Sequence, residues 1–255
     1  MTHDLTLTTR SASQTVPAGV IAPARWLFGR LVNIGKWFVA IVLLSFLLVP
    51  VLVNAFGGSL QLSIWEMFAT NGPGWFSLAM GATLVANYLT VMVAQGVTRG
   101  RFALAAALAI AAFAVLLALF VWLGYGLESF YFQRFQWQHD LLGEHLFSEL
   151  SQGLLVTVEY SLRHVLFALV GMIVGYGYYR FGGVWGTFLL PFTLVVPLAI
   201  GITILGLPGL TVVFTFGGIS GVTPVGAGLV VAYFVVLLSV CRYLLMTLAI
   251  KTKVG

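Results

Sequence analysis

Long apolar runs, interrupted by Gly, Pro and charged residues, dominate the chain from residue 37 onward. A helix needs about 20 residues to cross a hydrocarbon core of ~30 Å. Six runs are long enough to cross, at residues 37–55, 73–95, 102–124, 152–178, 184–206 and 225–249. They lack the period-2 alternation of barrel strands, so they predict helices that satisfy their own backbone hydrogen bonds in lipid. The predicted fold class is an all-α membrane protein with six transmembrane helices.

The composition excludes a water-soluble globule. The 255 residues are 60% hydrophobic and only 7% charged, whereas a soluble domain carries charge at about a quarter of its positions. Twelve Lys and Arg against seven Asp and Glu give a net charge of +5. The basic residues form no run, so we expect the lipid bilayer as a partner and no nucleic acid. The single cysteine, Cys241, excludes an intrachain disulfide.

The positions of the basic residues predict the orientation. Counting along the six spans places ten of the twelve on the side of the N-terminus: Arg10, Arg25, Arg30, Lys36, Arg99, Arg101, Arg180, Arg242, Lys251 and Lys253. Cytoplasmic loops are enriched in Lys and Arg, so we expect a multi-pass protein of the plasma membrane with both termini cytoplasmic. Residues 1–24 are polar and lack the apolar core of a secretory signal. They predict a disordered cytoplasmic tail before a single transmembrane domain at residues 25–255.

Residues 25–37 have helical periodicity with two different faces. Apolar residues occupy one arc of a helical wheel, and the opposite arc carries Arg25, Arg30 and Lys36 with two tryptophans nearby. An apolar stripe facing a basic one is typical of a helix that lies in the membrane interface. The alternative is that this segment is only the basic flank of the first span.

Two further segments do not fit simple spans. Residues 126–150 mix aromatic and polar side chains, which indicates an aromatic belt at the headgroup layer or a substrate-gathering surface. Residues 201–228 are apolar but hold eight glycines and two prolines. Such broken backbone at membrane depth must be shielded by protein or line a cavity. We expect a broken, re-entrant hairpin before the last span, with a simple outer loop as the alternative.

Three ionisable residues, Glu159, Arg163 and His164, fall inside the fourth span. Glu159 and Arg163 are four residues apart and therefore share a helical face. A lone charge at this depth costs several kcal/mol, so these groups must pair or face water. They form either a functional polar patch, such as a translocation path or proton relay, or a structural ion pair that joins two helices.

No catalytic or metal site is predicted. The cluster His139, Asp140, Glu144, His145 and Glu149 lacks an HExxH motif or a cysteine ligand. A phosphate-binding loop needs Gly, four residues, then Gly-Lys-Ser/Thr. The only Gly-Lys, at Gly35, is followed by Trp37, and Gly29 lies one residue too far upstream. We expect no enzyme activity and no cofactor on this chain, so ATP hydrolysis, if required, belongs to another polypeptide.

The pattern resembles the membrane subunits of type-two ABC transporters, in particular small actinobacterial permeases. The resemblance covers most of the chain after residue 24 and includes the amphipathic segment and the broken segment before the last span. Its most specific element is Gln95-Gly96-Val97-Thr98-Arg99-Gly100-Arg101-Phe102 between the second and third spans. This is similar to the Gly-x-Ser/Thr-Arg-x-x-Phe turn of many such permeases.

The resemblance implies that Gly96, Thr98, Arg99, Arg101 and Phe102 dock into a separate ATPase subunit, which would hold ATP and Mg²⁺. It further implies a dimer with a second permease copy, and export as the direction of transport. The resemblance does not select a cargo. Two alternatives stay open: a proton- or ion-coupled transporter that uses Glu159, Arg163 and His164, and a membrane scaffold or immunity protein without transport.

Overall fold

Six helices form the protein in its computed structural model, which describes residues 18–58, 60, 63–137, 145–147, 151–205 and 224–248. They are α1 Ala18–Ala55, α2 Ile64–Ala94, α3 Arg99–Phe135, α4 Gly153–Phe188, α5 Pro191–Leu205 and α6 Pro224–Thr247. These described ranges contain no strand. The prediction of an all-α fold is confirmed, and five of the helices are long and apolar enough to cross a membrane.

The fifth predicted span, residues 184–206, differs from the prediction. Gly182 has a φ of 80° inside α4, and the chain folds back at this residue. The evidence is a hydrogen bond of 3.1 Å between the hydroxyl groups of Tyr178 and Thr187, on either side of Gly182. Residues nine apart in a straight helix are about 13 Å apart. The helix is interrupted again at Leu189, and Pro191 opens a π-helical turn that leads into the rest of α5. Pro191 therefore begins a helix and does not kink one, in keeping with its fixed φ.

Helices that follow one another in the chain run in opposite directions, so α1 and α3 share one direction. The Gly19 backbone lies beside the Arg101 guanidinium and Gly35 beside the Phe113 ring, so α1 and α3 are parallel. At the end of α6, the Met246 carbonyl accepts a hydrogen bond from Arg99 at 3.2 Å. The start of α1, the start of α3 and the end of α6 therefore lie at one end of the bundle.

The two ends of the bundle differ in charge. The end just described carries Arg25, Arg30, Arg99, Arg101, Arg180 and Arg242, and is called the basic end, whereas Lys36 lies farther along α1, level with Phe113. The three acidic residues within the described ranges, Glu66, Glu128 and Glu159, lie at the opposite end, called the acidic end. The separation that was expected along the chain is thus also a separation in space.

Helices α2 and α4 approach each other until their backbones touch. A Cβ atom on Gly81 would lie 1.9 Å from the carbonyl oxygen of Ala168, and one on Gly171 would lie 2.0 Å from that of Leu78. Gly171 and Gly175 form a GxxxG sequence, the spacing that allows close helix approach in membranes. These glycines hold the two central helices together.

Helix α1 corrects two expectations. It is continuous over 38 residues, about 57 Å, so residues 18–24 are helical and the segment 25–37 is not a separate helix in the membrane plane. In the apolar stripe, Leu27 and Leu31 are fully buried in the core that α1 shares with α3, and Phe28, Val32 and Ile34 are partly buried against it. The basic stripe remains exposed. The segment is therefore the basic flank of the first span, packed on protein and not on lipid.

Candidate functional site

His145 lies between two carboxylates at the acidic end. Its Nδ1 is 2.8 Å from Oε1 of Glu159 in α4, and its Nε2 is 3.0 Å from Oε1 of Glu66 in α2. The imidazole is only 1% exposed. The backbone N–H of Leu146 donates to the other oxygen of Glu159 at 2.8 Å. A residue from the connection between α3 and α4 thus joins α2 to α4.

This arrangement determines the charge of His145. Burial by itself would lower the pKa of the imidazole, but the hydrogen bonds to Glu159 and Glu66, with the charges of these carboxylates, outweigh burial and raise the pKa to about 9. At neutral pH both ring nitrogens therefore carry protons and both donate. We name Glu66, His145 and Glu159 the outer triad.

A second set of hydrogen bonds joins α2 to α3 beside the outer triad. Ser63 caps α2 by accepting a hydrogen bond from the Glu66 N–H at 2.9 Å, and it donates to Glu128 at 2.6 Å. The other oxygen of Glu128 accepts from the Trp65 N–H at 2.8 Å. The Trp65 indole donates to the Val121 carbonyl at 2.8 Å and packs where a Cβ on Gly124 would clash. Ser63, Trp65 and Glu128 are all buried, and their polar groups form the hydrogen bonds just described.

The intramembrane residues of α4 lie just below the outer triad. The Tyr125 and Tyr160 hydroxyls are 2.7 Å apart, and Arg163 and His164 are buried next to them. Within the described chain, the Arg163 Nε and both nitrogens of His164 have no hydrogen-bond partner. Buried polar groups without partners are rare and costly, so this patch is either functional or strained.

The expected ion pair between Glu159 and Arg163 is not formed. Glu159 bonds instead to His145 and to the Leu146 N–H. Oε1 of Glu159 thus bonds to His145, on the side of the buried patch that faces the acidic end. Arg163 also has no salt bridge to either of the other two described glutamates.

The polar patch stops at His164. From Leu166 to Gly175 every residue of α4 is buried and is either apolar or glycine. This stretch contacts α2 backbone to backbone at Gly81 and Gly171. Along this stretch, α4 therefore contributes no polar side chain to a route from the acidic end to the basic end.

The turn at the basic end brings the five predicted coupling residues together. Gly96 has a φ of 86°, and Thr98 caps α3 by accepting from the Arg101 N–H at 3.3 Å. Arg99 donates to the last turn of α6, where a cation also stabilises the helix C-terminus. Arg101 is exposed beside Gly19, whereas Phe102 is fully buried in the core. Phe102 is therefore a packing residue, and the exposed residues of the turn are Gln95, Gly96, Thr98 and Arg101.

Sequence reasoning missed Glu66, Glu128 and His145 as members of one site. Ser63 and Glu66 have the spacing of a helix-capping pair, which could have predicted the start of α2 at Ile64 and not at residue 73. Helix α3 continues to Phe135, so the first part of the aromatic segment 126–150 is helical.

Several predictions fall outside the described residues: residues 1–17, His139, Asp140, Glu144, Glu149, and residues 206–223 of the expected re-entrant segment. Within the described ranges, no group of three or more His, Cys, Asp and Glu side chains is placed to hold a metal ion.

Comparison of the chain with protein-family models, curated proteins and solved structures finds no match. Function is therefore inferred from geometry and charge.

Proposed function

We propose that the chain is the membrane subunit of an ATP-driven type-two ABC transporter. It would pair with a second permease copy and a separate ATPase, and would act as an exporter in the plasma membrane with its basic end in the cytoplasm. The observation that supports this most is the turn at residues 95–101, which exposes Gln95, Gly96, Thr98 and Arg101 and contacts two other helices. Arg99 contacts the end of α6, and Arg101 lies beside the start of α1.

These contacts suggest how a partner could move the permease. A push on the turn would reach α1 and α6 directly, and both helices leave most of their apolar surface outside the described core. Helices that pack least within the chain are the ones free to shift against a neighbour. The closed interior between α2 and α4 favours a transport route at the surface between two permease copies.

The buried patch supports a second candidate, a proton-coupled transporter. Arg163 and His164 are unpaired at three nitrogen atoms within the described residues, as expected for groups that exchange protons or bind a charged solute. The apolar packing below His164 argues against a relay through a single chain. Flux driven by a proton gradient in vesicles without any ATPase would favour this candidate.

The docking role is tested with Arg101→Glu. Arg101 is exposed, whereas Arg99 also holds α6, so Arg101 reports on docking with less disturbance of the fold. The tagged protein is purified from its host in mild detergent, and the recovered proteins are identified by mass spectrometry. We expect the wild type to recover an ATPase with a phosphate-binding loop, and Arg101→Glu to recover about tenfold less, ~1.4 kcal/mol of binding.

The matched control is Arg134→Glu, the same charge reversal at an exposed arginine near the acidic end of the same helix. It should recover the ATPase like the wild type. Equal recovery with Arg101→Glu would contradict docking at this turn. A wild-type sample without any ATPase would contradict the transporter subunit itself.

A further inference from the structure

A shallow, open depression on the exposed face of α1 is called the basic groove. It is lined by Ala22, Arg25, Trp26, Gly29, Arg30 and Asn33 and measures about 520 Å³. Gly29 forms an open floor, because a Cβ there would meet nothing within 4 Å. The Arg30 guanidinium lies 4.8 Å from the centre of the Trp26 ring, which fixes it against the groove wall. Two guanidinium groups and an amide thus face one open space.

An apolar groove continues from this basic groove toward the acidic end. It measures about 230 Å³ and lies between α1 and α3, with Val32, Val39, Phe113, Leu117 and Phe120 among its lining residues. Lys36 stands at its edge. Arg25, Gly29, Val32 and Lys36 are spaced by four, three and four residues, so they form one stripe along α1. The basic and apolar grooves are therefore consecutive parts of one surface.

The described part of the chain places no acidic side chain at the basic groove. Helix α1 contains no acidic residue, and the three described glutamates all lie at the acidic end. Among the described residues, Arg25, Arg30 and Lys36 are therefore exposed cations without an acidic partner. The groove has the charge to hold an anion.

The position of the basic groove along the bundle indicates which kind of anion it binds. The contacts of Gly19 with Arg101 and of Gly35 with Phe113 set the register of α1 on α3. In this register Arg25 and Arg30 are level with the part of α3 that exposes Leu104 and Leu108. Basic side chains thus border a lipid-facing apolar surface, the position at which Arg and Lys reach for the headgroup layer.

We propose that this α1–α3 surface is a binding site for an anionic phospholipid. The phosphate binds Arg25 and Arg30, with Asn33 as a further hydrogen-bond donor. Lys36 lies where headgroup and chain meet, and one acyl chain lies over Val39, Phe113 and Phe120. Charge complementarity and the apolar continuation together require a ligand with an anionic head and a hydrocarbon chain. The site does not depend on the proposed transport function.

The test measures retention of phosphatidylglycerol by native mass spectrometry and by titration into the detergent-purified protein. The double variant Arg25→Gln/Arg30→Gln should bind this lipid about thirtyfold more weakly, ~2 kcal/mol at 1.4 kcal/mol per factor of ten. The control Arg134→Gln/Arg180→Gln removes the same charge from exposed arginines elsewhere and should bind like the wild type. Phosphatidylcholine, which has no net charge, should bind weakly to all variants.

A second variant tests the shape of the basic groove without changing its charge. Gly29→Leu fills the open floor without a clash and leaves every arginine in place, so it should also weaken phosphatidylglycerol binding. Phosphatidylglycerol binding equal to that of the wild type, in both Gly29→Leu and the double variant, would overturn the proposal. Displacement of the long-chain lipid by inorganic phosphate would also overturn it, because the acyl chain would then contribute nothing. A change in oligomeric state with unchanged lipid binding would identify the surface as a contact between copies.

Discussion

His145 is a residue whose role is set by partners far away in the sequence. Glu159 is 14 positions away and Glu66 is 79, yet both carboxylates bond to one imidazole. A buried ion pair adds little stability compared with an apolar contact, but removing one partner leaves a buried charge unpaired. Loss of His145 would therefore remove the cation that bonds to the buried carboxylates of Glu66 in α2 and Glu159 in α4.

Replacing His145 by Gln should destabilise the protein at neutral pH by about 3 kcal/mol, because Glu66 and Glu159 lose their shared cation. The pH dependence has a defined sign. The pKa of His145 is raised above 6.5, so its contribution is full below about pH 6.5 and is lost as pH rises through about 9. Thermal unfolding in detergent between pH 6 and 10 should show a decline in the wild type that His145→Gln lacks. His139→Gln, in the same connection, is the control, and a pH profile of His145→Gln equal to that of the wild type would refute the bridge.

Sequence spacing identified Glu159, Arg163 and His164 as special but gave Glu159 the wrong partner. The i, i+4 rule reports only which side chains are close on one helix. His145 competes for Glu159 from another segment, with the Leu146 N–H as a second donor. A contact between segments leaves no periodic trace in one sequence, so the outer triad could not be predicted.

At the scale of elements, the close pair α2 and α4 forms the centre of the bundle. Helices in lipid gain no hydrophobic energy from association, so close packing and hydrogen bonds must hold them together. Gly81 and Gly171 place backbone against backbone, and the tryptophan and glutamate set at Ser63 joins the same α2 to α3. Small residues and satisfied polar groups therefore take the role that apolar burial has in water.

Gly171→Ala should destabilise the protein by about 2 kcal/mol, because the new methyl group would meet the Leu78 carbonyl 2.0 Å away and the helices would have to separate. Gly126→Ala is the matched control. It lies in helix α3 with nothing within 4 Å of its Cβ, so it should be neutral or slightly stabilising. Unfolding midpoints in one detergent give the comparison, and equal midpoints for the two variants would contradict the close packing.

Counting apolar residues predicted the existence of the helices better than their ends. The method finds the stretch that suits the hydrocarbon core, but hydrogen bonding and caps decide where a helix stops. Helix α2 begins at Ile64 because Ser63 caps it, and α3 runs on to Phe135, where Gln136 has a left-handed φ of 56°. The reversal of the chain at Gly182 was not predicted, because the sequence does not show which of its many glycines adopts a positive φ.

For the whole molecule, the two ends of the bundle differ in charge along the bundle axis. Six described arginines share the basic end, and the outer triad and Glu128 share the acidic end. The first described turn of α1 and the last turn of α6 meet at the basic end, through Arg101 and Arg99. A multi-pass protein with this distribution should insert with its basic end in the cytoplasm.

Orientation can be measured with two exposed glutamines as matched sites. Gln95 lies at the basic end and Gln133 near the acidic end, and the native thiol of Cys241 is buried. In intact cells a membrane-impermeant maleimide should label Gln133→Cys and should reach Gln95→Cys only after permeabilisation. The wild type, which has only the thiol of Cys241, gives the background. The reverse pattern would place the exposed turn outside the cell, away from ATP, and would exclude an ATPase partner at Arg101. The labelling result therefore tests a requirement of the transporter proposal before any cargo is known, whereas the expected pattern agrees equally with a proton-coupled transporter or a scaffold.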